Sequence, residues 1–331
     1  MTEIEVLPTD TSLTVLRLRN LQGAYIDVLN LGASLVSVVV PDRQKNYKNV
    51  ILRYDKITDY LSDACYLGST IGRVANRVSN ASFKMDDCII YLEKNDGLHS
   101  NHGGFSGLNR RVFDYCIREN KAVFYTESLD GEGGYPGNLK LEISYSLSDK
   151  NEVVICFRAK TDKKTPLNLT NHAYFNLSGE ADVLAHKLKI ESDKFLEMKI
   201  DFTPTGRILC MNENPGYCFK GKKTIGEMMR MKNEHIKGYN TYFIAKNTRR
   251  QLRKIATLSS PVSGICMNLL TTMPGCMFYT GDYVSKPFSS FSGLCLEAQH
   301  YPDAPNHHNF PNVILQPSEV YEEKIVYAFA N

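Results

Sequence analysis

Hydrophobic and polar positions alternate with a period of two over much of the chain. Leu141, Ile143, Tyr145 and Leu147 are separated by Glu142, Ser144 and Ser146, and weaker versions run through 15–19 and 184–190. Successive side chains of a strand point to opposite faces, so the pattern predicts half-buried strands. Two runs, 35–40 (LVSVVV) and 153–157 (VVICF), are almost wholly apolar and predict strands buried on both faces. Turn formers punctuate the strands at 131–137 (GEGGYPG), Leu31-Gly32, Asp96-Gly97 and 302–306. Helical signals are few. Residues 224–231 (TIGEMMRM) predict one helix with Thr224 as N-cap and Glu227 three positions on, and 57–61 (ITDYL) gives a turn or two. Many strands with little helix predict an all-β sandwich or barrel, not an alternating βαβ fold. No linker, charge block or repeat divides the chain, so 1–331 reads as one antiparallel β domain.

Composition narrows the function classes. A length of 331 residues would suggest two average domains, but all-β domains often exceed about 200 residues. With 43% hydrophobic and 23% charged residues, the chain is an ordinary globular protein. A net charge of +3 is too small to imply nucleic acid or an anionic membrane as partner. The one basic cluster, 246–254 (KNTRRQLRK), has no interleaved aromatics and reads as a solvated loop or strand edge. The nine cysteines include no CxxC pair, and several, such as Cys156 and Cys295, sit in apolar runs. They read as buried small hydrophobes in a reducing compartment. The first twelve residues are acidic and polar, unlike a signal peptide, and no stretch approaches the ~20 apolar residues of a membrane span. The expectation is a cytoplasmic protein. The glycosylation triplets at Asn80, Asn168 and Asn176 then carry no chemistry.

Four places concentrate polar residues and glycines. Residues 72–77 (GRVANR) read either as a turn with surface charges or as a guanidinium and an amide presented to a hydroxylated or anionic ligand. Residues 98–104 (LHSNHGG) end in a Gly-Gly that allows close backbone approach. Their HxxH spacing is compatible with a metal, but no fuller ligand set accompanies it, so no metal is expected. Residues 168–179 (NLTNHAYFNLSG) place His172 among apolar residues, and 293–306 (GLCLEAQHYPDAPN) place Glu297 in an apolar run. If that run is a buried strand, Cys295 and Glu297 share a face, and an inward carboxylate needs a partner or a function. His300, His307 and His308 follow in a loop where exposure is expected. No dinucleotide, P-loop or nucleophile-elbow motif occurs. A cofactor-free acid–base enzyme acting on a small polar molecule fits these features.

Taken together, these motifs resemble the aldose 1-epimerase (galactose mutarotase) family nearly end to end. The matching segments are 30–42 (NLGASLVSVVVPD), 66–83 with its GRVANR core, and His102-Gly103-Gly104, where Asn101 replaces the usual Leu. They continue with 130–139 (DGEGGYPGNL), 168–179, 274–282 (PGCMFYTGD) and 296–306 (LEAQHYPDAPN). The resemblance implies a large antiparallel β-sandwich with the sugar in a cleft on one sheet. It also implies interconversion of the α and β anomers of free aldohexoses without metal or coenzyme. Glu297 would be the general base, His172 the general acid, and Asn76, Arg77 and His102 would bind hydroxyls. Two positions depart from the family pattern: Asn240 stands where it has Asp, and Met277 where it has Gln. Both are expected at the sugar, with hydroxyl recognition weakened. The expected partner is a small sugar, the expected state a monomer or weak homodimer. A sugar-binding homologue with little catalysis and a hexose-phosphate epimerase remain as alternatives.

Overall fold

The computed structural model describes residues 2–9, 11–232, 237–246 and 250–331. Its sheets are antiparallel. The largest has nine strands, from Asp114–Arg118 at one edge to Lys220–Thr224 at the other, with Tyr321–Ala330 in the middle. A five-stranded meander runs in chain order from Glu3–Leu7 to Tyr47–Asn49. A six-stranded sheet is ordered Tyr174–Phe175, Leu294–Gln299, Gly275–Tyr279, Asn240–Ala245, Ser192–Met198, Pro204–Cys210.

The inner faces of all three sheets meet in one apolar core. Leu141, Ile143 and Tyr145 of the first, Ile26 and Val28 of the second, and Phe243, Phe278 and Leu296 of the third belong to the same buried cluster. The alternation at 141–147 lies in the strand Leu139–Leu147, whose odd positions are buried and whose even positions are half-buried or exposed. The run 35–40 is buried on both faces as expected. The run 153–157 is not: in Glu152–Thr161, Val154 and Cys156 are half-buried on the outer face, which nothing covers completely. All nine cysteines are free, but only Cys65, Cys276 and Cys295 are buried. The predicted helix is Ile225–Met231 with a full Thr224/Glu227 capping box, and 57–61 falls in a short 3-10 helix, Ile57–Ser62. Within the basic cluster, 247–249 lie outside the described residues, while Lys246 pairs with Asp193 and Arg250 with Glu323. Among the described residues no helix is long and apolar enough to cross a membrane.

The segment 168–179 is built into this core. Leu169, Phe175 and Leu177 are buried in it, and the Phe175 ring meets Tyr327 edge-on at 4.8 Å. Asn168 is no surface acceptor: its Oδ1 accepts from His300 N at 2.8 Å and its Nδ2 donates to His300 O at 3.3 Å. Thr170 donates to Ala298 O at 2.7 Å. These bonds tie the segment to the strand Leu294–Gln299 and so fix His172 relative to Glu297. Phe175→Ala is expected to lower unfolding free energy by about 3–5 kcal/mol through the cavity it leaves, measured by urea denaturation.

Candidate active site

Register on the six-stranded sheet decides which side chains leave the core. Leu294, Leu296 and Ala298 point into it, so Cys295, Glu297 and Gln299 project from the other face. That outer face is covered by loops, and between them lies a cavity of about 480 Å³. Its lining includes His172, Glu297, Asn76, Arg77, His102 and Asn240, six of the seven residues singled out from the sequence. Met277 is not among them. It stands directly opposite Glu297 in the sheet but is fully buried with Leu196, Tyr242, Tyr301 and Phe310. This aromatic cluster takes up the thioether and keeps it from the cavity surface.

His172 and Glu297 are 5% and 3% exposed, and Nε2 of the imidazole lies 3.7 Å from the carboxylate Oε1. The other carboxylate oxygen, Oε2, is buried with no hydrogen-bond partner. Burial pushes the Glu297 carboxyl up to about 8, against a smaller downward pull from Arg77. Burial likewise drives His172 down to about 4, against a smaller upward pull from its own backbone carbonyl. On the far side of the ring, Nδ1 is 3.5 Å from Cys295 Sγ. The ligand-type atoms of His172, Cys295 and Glu297 lie within 4.8 Å of one another. However, the sulfur faces Nδ1 and the carboxylate faces Nε2, so one ion could not be bound in line with both contacts.

The cavity walls come from loops. His102 lies edge-on to His172 with ring centroids 5.3 Å apart, and its Nδ1 accepts from Asn76 N at 3.3 Å. Burial, then the nearby His172 and Arg77, lowers the His102 pKa well below the ordinary value, so it is neutral. Gly103 makes this approach possible: with φ at 91°, any Cβ there would lie 1.9 Å from the Gly72 carbonyl oxygen. The two arginines of GRVANR separate. Arg73 is buried and donates to Ser128 O, Leu129 O and Pro136 O at 2.8–3.0 Å, a structural role. Arg77 lines the cavity and pairs with Asp96 through Nε at 2.7 Å. His99 turns away to Asp201 at 3.5 Å. His300, expected to be exposed, is largely buried against Glu323 at 3.2 Å.

Tyr66, Tyr174 and Tyr279, which fall in the matched segments but were not singled out, and Asp96, Phe202, Tyr283 and Ser285, which no motif marked, also line the cavity. Tyr66, Asn76, His102 and Phe202 share left-handed φ values of 54–66°. Each such non-glycine residue costs on the order of 1–3 kcal/mol and persists only where surrounding contacts enforce it, commonly at functional sites.

A profile of the aldose 1-epimerase family matches residues 14–328. The chain belongs to the aldose 1-epimerase family. It is 34% identical over 315 residues to a galactose mutarotase from Bos taurus, covering 92% of this chain and 91% of that protein. It is 30% identical over 328 residues to an aldose 1-epimerase from Escherichia coli strain K12, covering 95% and 94%. Among solved structures, an aldose epimerase homologue from C. elegans superposes with a TM-score of 0.88 at 27% identity, covering 100% of this chain and 99% of that one. A galactose 1-epimerase from Lactobacillus acidophilus superposes with a TM-score of 0.85 at 26% identity, covering 100% and 98%. The expected sandwich of the family is therefore the fold of this chain, and the epimerase is an isomerase.

The two arginines give a stability test. Arg73→Met takes its donors from the buried Ser128 carbonyl and the part-buried Pro136 and Leu129 carbonyls and is expected to cost about 3 kcal/mol. Arg77→Met removes a pair whose Asp96 is solvent-exposed, and is expected to cost under about 1 kcal/mol. Denaturant midpoints of the two variants compare them directly.

Proposed function

We propose that the chain interconverts the α and β anomers of free aldohexoses such as galactose and glucose, with Glu297 as general base and His172 as general acid. The observation that carries this reading is the buried pair at the cavity floor, 3.7 Å apart, with Oε2 unpartnered among the described residues. Glu297 takes the proton of the anomeric hydroxyl as Nε2–H of His172 protonates the ring oxygen. The bond between the anomeric carbon and the ring oxygen breaks, leaving an open-chain aldehyde, a protonated Glu297 and a neutral His172. Rotation about the bond between the first and second sugar carbons presents the other carbonyl face. The steps then reverse, returning the proton to His172. No net proton is gained or lost.

Asn76, Arg77, His102 and Asn240 would hold the hydroxyls. A cavity of about 480 Å³ is within the ordinary range for small-molecule sites. Among its described lining residues Arg77 is the only Lys or Arg, and it is engaged by Asp96, which weighs against a phosphorylated sugar. The catalytic pair weighs against a pure binding role. A single core drawing on residues from Leu16 to Phe329 supports the reading of one domain.

The pH dependence follows from proton count. Catalysis needs one donor and one acceptor, so the pair must hold a single proton. Below about 4 His172 gains a second proton and no base remains. Above about 8 Glu297 loses its proton and no acid remains. A bell-shaped kcat/KM with limbs near those values is expected in polarimetric assays, and these limbs belong to the pair, not to single residues. Glu297→Gln and His172→Ala should each lower kcat by about 10²–10⁴-fold, and Arg77→Met should raise KM about tenfold. Wild-type rates in either of the first two variants would reject the reading.

A further inference from the structure

The mechanism leaves one contact of the acid unexplained. His172 Nδ1 has Cys295 Sγ as its side-chain neighbour at 3.5 Å, in a place where no sugar can reach, since Cys295 is fully buried and does not line the cavity. The contact is set by the sheet: Cys295 pairs with Tyr174, two residues beyond His172, and shares a face with Glu297. The His172 backbone is held as well. Its N–H donates to Ser69 O at 2.9 Å and its carbonyl accepts from Gly68 N at 3.0 Å. These bonds hold the backbone, and ring contacts with Tyr66, His102 and Tyr174 flank the imidazole beside the sulfur.

We propose that Cys295 is a positioning residue whose sulfur accepts the Nδ1–H of His172, fixing the tautomer that leaves Nε2 free to take up and release the catalytic proton. This rests on the acid–base reading above. A neutral imidazole carries one proton on either nitrogen, and the partner of the other nitrogen selects which. When the pair's single proton sits on Glu297, its O–H faces Nε2, which must then present a lone pair. When the proton has passed to His172, Nε2–H faces the carboxylate. Nδ1 carries a hydrogen in both arrangements, so an acceptor there serves both. With Nδ1 bare, the neutral ring would already hold its proton on Nε2. Giving that proton to the sugar would leave an imidazolate, which is far too basic to form.

Sulfur suits the place. The other groups facing the imidazole are His102, Tyr66 and Tyr174 by ring contact, its own backbone carbonyl, Glu297 at Nε2 and Arg77 across the cavity. Burial and the charge of Glu297 hold the Cys295 thiol well above its usual pKa, so it stays a neutral thiol and a weak acceptor. A carboxylate there would bring a second buried charge and fix the imidazolium. The weak acceptor selects a tautomer without trapping the proton.

The test is ¹⁵N NMR of histidine-labelled protein at neutral pH, with the His172 signals assigned by their loss in His172→Gln. The expected wild-type spectrum shows Nδ1 protonated and Nε2 bare. Cys295→Val, close in volume but without the sulfur acceptor, leaves the ring only its own weaker backbone carbonyl and should mix the tautomers and lower kcat about fivefold at unchanged KM. Cys295→Ser should restore both. A wild-type Nε2–H tautomer overturns the proposal, as does a Cys295→Val protein with unchanged tautomer and kcat. The wild-type spectrum decides even if that variant fails to fold. Full activity in His172→Gln would instead reject the acid–base reading, so the two failures are distinguishable.

Discussion

The buried carboxylate of Glu297 is the constraint around which the rest of the molecule is arranged. An ionised carboxylate without hydrogen-bond partners is costly to bury, and the response of the group is to hold its proton to higher pH. Here one oxygen has no donor and the other only an imidazole at 3.7 Å. Keeping the group in that condition requires a rigid floor and a dry cover. The floor is the six-stranded sheet, whose other face is sealed by Leu294, Leu296 and Phe278 in the main core. The cover is the set of loops carrying His102, Asn76 and Tyr66, held at left-handed φ values that only enforced packing sustains.

Sheet and loops divide the work. The sheet fixes atoms that must keep sub-ångström relations: Glu297 and Cys295 by strand alternation, and His172 by the bonds of Asn168 and Thr170 to the neighbouring strand. The loops supply most of the polar atoms a sugar would meet. They too are tied to the floor, through Asp303. Its carboxylate accepts from Ser79 N at 3.0 Å and Asn306 Nδ2 at 2.7 Å, joining the loop after Arg77 to the loop after Glu297. Arg73 ties its loop instead to the end of the strand Lys121–Ser128 and the turn after it, whereas Arg77, four residues on, faces the cavity.

Much of this was legible in the chain. Alternation along 294–299 is a local property, so the shared face of Cys295 and Glu297 followed from spacing alone, and the capping box at Thr224 did too. The resemblance placed His172, Asn76, Arg77 and His102, and all of them line the cavity. What could not be read depended on layers. Whether Val154 and Cys156 are covered is settled by another segment, not by the run 153–157 itself. Phe202 and Tyr283 reach the cavity through long connections that leave no periodic trace. Met277 has the register expected of a wall residue, yet Tyr242 and Tyr301, distant in sequence, claim its side chain.

That last displacement bears on recognition. In the row of the sheet that contains Glu297, the strand neighbours Met277 and Tyr242 are apolar or turned into their own cluster, and the Tyr242 hydroxyl is engaged with Gln299 O at 2.9 Å. In the adjacent row, Asn240 pairs with Tyr279, and both reach the cavity. The floor is therefore polar on one side of the base and closed on the other. Under the proposed mechanism, a sugar over Glu297 meets hydroxyl partners from the Asn76–Arg77–His102 side and from Asn240, but none from the position of Met277. Under the same mechanism, the burial that leaves Oε2 without a donor also heightens the basicity of the carboxylate.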